Sequence, residues 1–207
     1  MRPSTWENER VKQSTTTATP ESSGRGTTTK PSNSSLRHML VVGGTLAEWA
    51  AMSDLAWSRR VDELGASCAA LGVPWLTIRA YEQGGGEADA GLERWRHSVD
   101  GCDVIIDPCG DGRQRFADAM KRLDPGDEVN EASVAAVLYE PADSEPDLVV
   151  VLGPPTQLPP SLVWELAYAE LVFAQVSWSE LSADDLAGAV ADFSGRRRRF
   201  GGLDDDE

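Results

Sequence analysis

The chain has 207 residues, 41% of them hydrophobic and 26% charged, enough for one domain with a substantial core. Its formal net charge of −15 at pH 7 argues against sequence-independent nucleic-acid binding, because most of its surface repels another polyanion. Three cysteines without paired spacing argue against a disulfide framework, and two histidines against a zinc site. No apolar run is long enough for a signal peptide or a membrane span, so a soluble, cytoplasmic protein is expected, reaching a membrane only through a partner.

Residues 1–35 are rich in Ser, Thr, Pro and Gly and nearly devoid of aliphatic side chains, which predicts a disordered tail. Order is expected over 36–202, followed by an acidic tail at 203–207. Met39-Leu-Val-Val42 ends in Gly43-Gly44 and reads as a buried strand. Trp57, Val61, Leu64, Cys68 and Leu71 recur at helical spacing and predict one helix over 47–71, closed by Gly72. A strand is expected over 74–79, a Gly84-Gly85-Gly86 turn after it, a short helix over 92–99 and a strand over 102–107. Residues 113–123 suit a helix, 124–131 form an acidic connection, and 133–138 fit helix or strand equally. An apolar strand at 148–152 precedes a Pro-rich run, a helix over 161–173 with Leu162, Leu166, Ala169 and Phe173 on one face, and a strand over 174–178. Ser182 with Asp185 predicts the capped start of a last helix carrying Leu186, Val190 and Phe193. The alternation predicts an α/β fold with a central, mainly parallel sheet flanked by helices.

Two segments carry a family resemblance. Pro146-Asp147-Leu148, Trp164-Glu-Leu-Ala-Tyr-Ala-Glu170-Leu-Val-Phe173, Val176-Ser-Trp178 and Arg198-Arg-Phe-Gly-Gly202 resemble the C-terminal pattern PDLxIRTxGExRxSNFLLWQxAYxExxF, VxWPxF and RRFGG of undecaprenyl diphosphate synthases, without a gap from Pro146 to Glu170. His38 to Ala50 is similar to that family's HxAxIMDGNxRWA at fewer positions, including His38, Trp49 and Ala50. The resemblance implies a trimmed cis-prenyltransferase fold. In that family isopentenyl diphosphate is joined to an allylic diphosphate, with Mg²⁺, cations and backbone N–H groups holding the two polyanions.

Measured against that pattern, the site residues are largely missing. The metal-binding aspartate of MDGN aligns with Gly44, and neither Thr45 nor Leu46 replaces it. FSSENW becomes Tyr81-Glu-Gln-Gly-Gly-Gly86. The arginine of IRT aligns with Val151, the second arginine with Gln157 and the following serine with Pro159, which removes bidentate phosphate contacts. Arg199-Phe200-Gly201-Gly202 is retained and matches the family's C-terminal Arg-x-Gly motif, which reaches into the neighbouring subunit's active site. The chain resembles the Nogo-B receptor type of accessory subunit in this respect, but it lacks that type's membrane segment.

The resemblance implies no catalytic and no metal residue in this chain. It implies diphosphate binding in trans by Arg199, Phe200, Gly201 and Gly202, and a dimer interface at Trp164, Tyr168, Glu170 and Phe173. The partner would be a catalytic cis-prenyltransferase homologue that carries the Mg²⁺ and makes a polyprenyl diphosphate. A stand-alone divergent transferase and a regulatory, prenyl-diphosphate-binding pseudoenzyme are the competing readings. The residues themselves also admit plainer roles. Arg196 to Arg199 suits a solvated helix end, Trp164, Tyr168 and Phe173 suit a core, and His38 suits a structural histidine. Homodimerisation stays open, since an interface helix can pair with its own copy.

Overall fold

The computed structural model describes residues 36–82, 94–124, 126 and 128–196. The two predicted tails, the Gly84-Gly85-Gly86 turn and the Arg199–Gly202 motif lie outside these residues.

Six strands form one sheet in the order β3-β4-β2-β1-β5-β6: β1 (His38–Val42), β2 (Trp75–Arg79), β3 (Trp95–Val99), β4 (Cys102–Asp107), β5 (Leu148–Leu152) and β6 (Glu170–Ala174). All neighbours run parallel except β3, which is antiparallel to β4. The predicted mixed α/β architecture is therefore the one observed.

The central strands are apolar because both their faces are covered. Met39, Val41, Leu76, Ile78, Val104, Ile106, Leu148 and Val150 belong to the large core that includes Trp57, Val61 and Leu64 of α2 (Asp54–Ala70) and Leu186, Ala189 and Phe193 of α5 (Ala183–Gly195). The alternate residues face the other way. There Ile105 packs with Ala119 of α3 (Gly112–Arg122) and Val134 and Leu138 of α4 (Glu131–Tyr139), while Leu40, Val42, Val149 and Val151 pack on Leu162. The capping box predicted at Ser182 and Asp185 is formed, and 131–139 resolves to a helix.

Four predicted elements are corrected. The helix over 47–71 is two helices, α1 (Leu46–Ala51) and α2, because Met52 is extended and the Ser53 side chain caps a new start by accepting from Ala56 N. The break lets Trp49 turn beneath β1, where it is 1% exposed. The helix over 92–99 is instead β3, the first arm of a hairpin closed by Asp100 (φ 50°) and Gly101 (φ 92°). Positive φ at both central residues is what a type I′ turn requires.

The helix over 161–173 is replaced by two short 3-10 turns, Pro160–Leu162 and Glu165–Ala167, followed by β6. Register pairing of Leu148–Leu152 with Glu170–Ala174 satisfies backbone groups that a helix would have used internally, and the strand expected at 174–178 lies earlier for the same reason.

Candidate functional site

In open α/β sheets, ligands sit beyond the carboxyl ends of the strands where the connections change direction. Here β1 leads to β2 on one side and has β5 on the other, so that point is the Gly43–Thr45 turn. Tyr81 N donates to Gly44 O at 2.8 Å, and Trp49 Nε1 donates to Gly43 O at 3.2 Å. Gly44 has φ +71°, and a Cβ added there would lie 2.5 Å from Trp49 Nε1 and 2.8 Å from Trp178 Cγ. Trp49, Trp57 and Trp178 fill the space beneath this turn, with ring centroids 5.2 Å to 5.9 Å apart. A carboxylate cannot be placed at this position without displacing that cluster.

Two backbone donors at the end of the turn are also taken. Thr45 N donates to Glu48 Oε2 at 2.7 Å, and Leu46 N donates to Glu82 Oε1 at 2.7 Å. Two of the chain's own carboxylates thus hold N–H groups of Thr45 and Leu46 that an external anion could otherwise use. Across the crevice, Val151 is fully buried between Val42 and Phe173, so its side chain serves the core. Gln157 is exposed and Pro159 is buried in the loop that follows. Among the described residues no group of three or more His, Cys, Asp or Glu side chains is set to hold a metal. With Gly44 closed to any side chain, these residues do not fit a Mg²⁺ site.

Beside the crevice lies a buried ionic quartet that sequence reasoning missed. Arg79 ends β2 and Asp107 ends β4; Arg115 comes from α3 and Glu165 from the second 3-10 turn. Arg79 Nε lies 3.3 Å and Arg115 Nε 3.2 Å from Asp107 Oδ2, while their Nη1 atoms lie 2.8 Å and 3.2 Å from Glu165 Oε1. Both Nη1 groups also donate to Ser161 O at 3.4 Å. Burial alone would raise the Asp107 carboxyl, yet Arg115 and Arg79 hold it below the usual range. Glu165 is likewise pushed up by burial and held down more strongly by Arg79 and Arg115. The signal in the sequence was a charge closing each of two apolar strands: Leu-Thr-Ile-Arg79 and Val-Ile-Ile-Asp107.

His38 is structural in its contacts. It is fully buried, with Nδ1 2.7 Å from Ser144 O and Nε2 2.8 Å from Thr77 Oγ1, and burial lowers its pKa to about 4.

The predicted interface residues do not share a helical face. Trp164 stacks on Phe116 at 6.0 Å and donates from Nε1 to Glu145 Oε2 at 2.7 Å, while Tyr168 is 72% exposed. Glu170 and Phe173 lie three apart on the edge strand β6 and so point to opposite sides. Phe173 packs in the Leu162 cluster, whereas Glu170 accepts from Arg196 Nη1 at 3.2 Å. Arg196 Nη1 also donates to Leu171 O at 2.9 Å, which fixes the last described residue at the amino end of β6.

Residues 100–201 match the family model described as "Putative undecaprenyl diphosphate synthase". A geranylgeranyl-diphosphate-specific tritrans,polycis-undecaprenyl-diphosphate synthase from Picrophilus torridus is 34% identical over 98 residues, 44% of this chain and 38% of the relative. A farnesyl-diphosphate-specific ditrans,polycis-undecaprenyl-diphosphate synthase from Lactiplantibacillus plantarum is 36% identical over 99 residues, 45% of this chain and 38% of the relative. The aligned stretch thus spans well under half the length of these relatives. In fold, the chain is similar to a probable undecaprenyl diphosphate synthase from Campylobacter jejuni (TM-score 0.56, 18% identity), over 81% of this chain and 99% of that one. It is equally similar to lavandulyl diphosphate synthase from Lavandula x intermedia (TM-score 0.57, 16% identity), over 81% and 98% of the two chains.

Proposed function

We propose that this chain is a member of the cis-prenyltransferase, undecaprenyl diphosphate synthase-like family that its 100–201 segment matches, and that it is a non-catalytic accessory subunit of a heteromeric enzyme that makes a polyprenyl diphosphate. The partner is a catalytic homologue that binds isopentenyl diphosphate, the allylic diphosphate and Mg²⁺. The observation that carries the reading is the closed turn at Gly44. The position that aligns with the metal aspartate has no room for a side chain, and the adjoining N–H groups of Thr45 and Leu46 are held by Glu48 and Glu82. A diphosphate approaching this turn meets two carboxylates and an indole cluster.

What the chain contributes in this reading is Arg199 with Gly201. Arg199 supplies charge-assisted hydrogen bonds to a diphosphate in the partner's site, and Gly201 lets the backbone approach it without a Cβ in the way. Two observations support delivery to a neighbour. Arg196 is anchored at Glu170 and Leu171, the amino end of β6, whereas the chain's own crevice lies at the carboxyl end of the sheet. Trp164 and Tyr168, which the family resemblance places at the interface, are only partly covered in the single chain.

The test is a prenyl-transfer assay with labelled isopentenyl diphosphate, farnesyl diphosphate and Mg²⁺. It compares this chain, a full-length homologue from the same organism, and the two co-purified. Activity that rises only in the pair is the expected result. Turnover by this chain alone would overturn the reading in favour of a stand-alone transferase.

A further inference from the structure

We infer, independently of the accessory-subunit reading, that Cys68 of α2 and Cys102 of β4 form a redox latch: a low-molecular-weight disulfide oxidises the two thiols to an intrachain disulfide that ties α2 to the sheet.

The two cysteines are distant in sequence, and the fold brings them together. Both are fully buried and belong to one core cluster. Gly65 lets the α2 backbone down onto the β3–β4 hairpin, where an added Cβ would lie 2.8 Å from Val99 Cβ and 2.9 Å from Val104 Cγ2. Val99 is the register partner of Cys102, and Val104 follows Cys102 on the same face of β4. Cys68 comes one turn after Gly65 on the same side of α2, and its thiol meets that of Cys102. The third cysteine is apart from this pair. Cys109 lies past the far end of β4, half-buried, with Sγ 3.6 Å from Asp111 O, so the length of the strand separates it from Cys102.

At rest the pair is unreactive. The Cys102 thiol, and then burial, push the Cys68 thiol far above its ordinary value, which leaves little thiolate to attack a disulfide. Access comes from the ends of the elements. Cys68 is in the last turn of α2, ahead of Gly72 at φ 74°, and Cys102 directly follows the Asp100-Gly101 turn. Fraying at these ends bares both thiols without opening the sheet. One thiolate then attacks the external disulfide and expels a thiol, and the neighbouring cysteine displaces the second. Two protein S–H bonds become one S–S bond while the reagent's S–S bond becomes two S–H bonds, so electrons and protons balance.

The latch acts on a helix that holds the closed turn. Trp57, earlier on α2, donates from Nε1 to Trp49 O at 3.1 Å beneath Gly44. Fastening the last turn of α2 to β4 therefore steadies the packing under that turn.

The experiment equilibrates the full chain with oxidised and reduced dithiothreitol in varied ratio, a cyclic reagent that leaves a lone thiol unmodified. Non-reducing peptide mapping should find Cys68 linked to Cys102 with Cys109 free. The link should disappear in excess reduced reagent and persist in Cys109→Ser. Hydrogen exchange of the α2 amides should slow about tenfold or more in the oxidised chain. Three free thiols in the folded chain at every ratio, or a link that involves Cys109, would overturn the proposal. A Cys68–Cys102 bond that leaves α2 exchange unchanged would overturn it as well.

Discussion

Gly44 shows how one residue can close a site. Its φ of +71° and the indole of Trp49 leave no place for a side chain, so restoring the family's aspartate does not restore a metal site. Gly44→Asp is expected to destabilise the fold by about 1–3 kcal/mol through strain and overpacking. Its thermal midpoint should fall and should not recover on adding Mg²⁺; a Mg²⁺-dependent rise would contradict this.

The buried charges define a second residue-scale prediction. The folded-state pKa values of Asp107 and Glu165 are depressed, so their stabilisation is present above the unfolded carboxylate values and is lost as pH falls through the folded ones. His38 titrates at about 4 folded and 6.5 unfolded, so the unfolded chain binds the extra proton between these values. It therefore lowers stability progressively from about pH 6.5 downward, by roughly 3 kcal/mol in all. Denaturant midpoints should fall in two acid phases, the upper one absent in His38→Gln and the lower one reduced in Glu165→Gln. Glu165→Gln should itself cost about 3 kcal/mol at neutral pH, because it leaves two buried guanidinium groups short of a counter-charge. A flat profile down to pH 4 in the wild type would contradict the His38 assignment.

At the scale of elements, periodicity was informative where both faces of a strand or one face of a helix are buried. Met39–Val42 and Leu148–Leu152 are unbroken apolar runs, and α2 keeps Trp57, Val61, Leu64 and Cys68 on its buried side. It failed where local signals decide. Ser53, with Ala56 N to cap, ended one helix and began another, and Asp100-Gly101 is a hairpin signal directly after the 92–99 stretch read as helix. The segment after Pro160 has helical spacing, but Glu165 turns inward to Arg79 and Arg115 and the following residues pair with β5. Such long-range partners are invisible to a local pattern, and so was the quartet. Of the candidate site, Thr45 with Glu48 three residues on is a local capping pattern that the sequence carries, whereas Glu82 on Leu46 N was not legible, since it lies 36 positions away. The hairpin gives a direct check. Gly101→Val puts a β-branched residue at φ 92° and should cost about 2 kcal/mol in chemical denaturation. A neutral effect would mean the turn is not of this type.

For the whole molecule, the sheet sets the crevice and the last described residue at opposite ends. The turn at the carboxyl end is packed by the chain's own tryptophans and glutamates, while Arg196 is held at the amino end of β6, beside the interface expected from the family. The described helices include none long and apolar enough to cross a membrane.

The most direct measurement is labelled isopentenyl diphosphate incorporation by the co-purified pair carrying either wild-type chain or Arg199→Ala. The account predicts a complex of unchanged affinity whose turnover falls at least tenfold, about 1.4 kcal/mol or more of lost transition-state stabilisation. Unchanged turnover in an intact Arg199→Ala complex would contradict the account and leave this chain a binding partner that takes no part in the reaction.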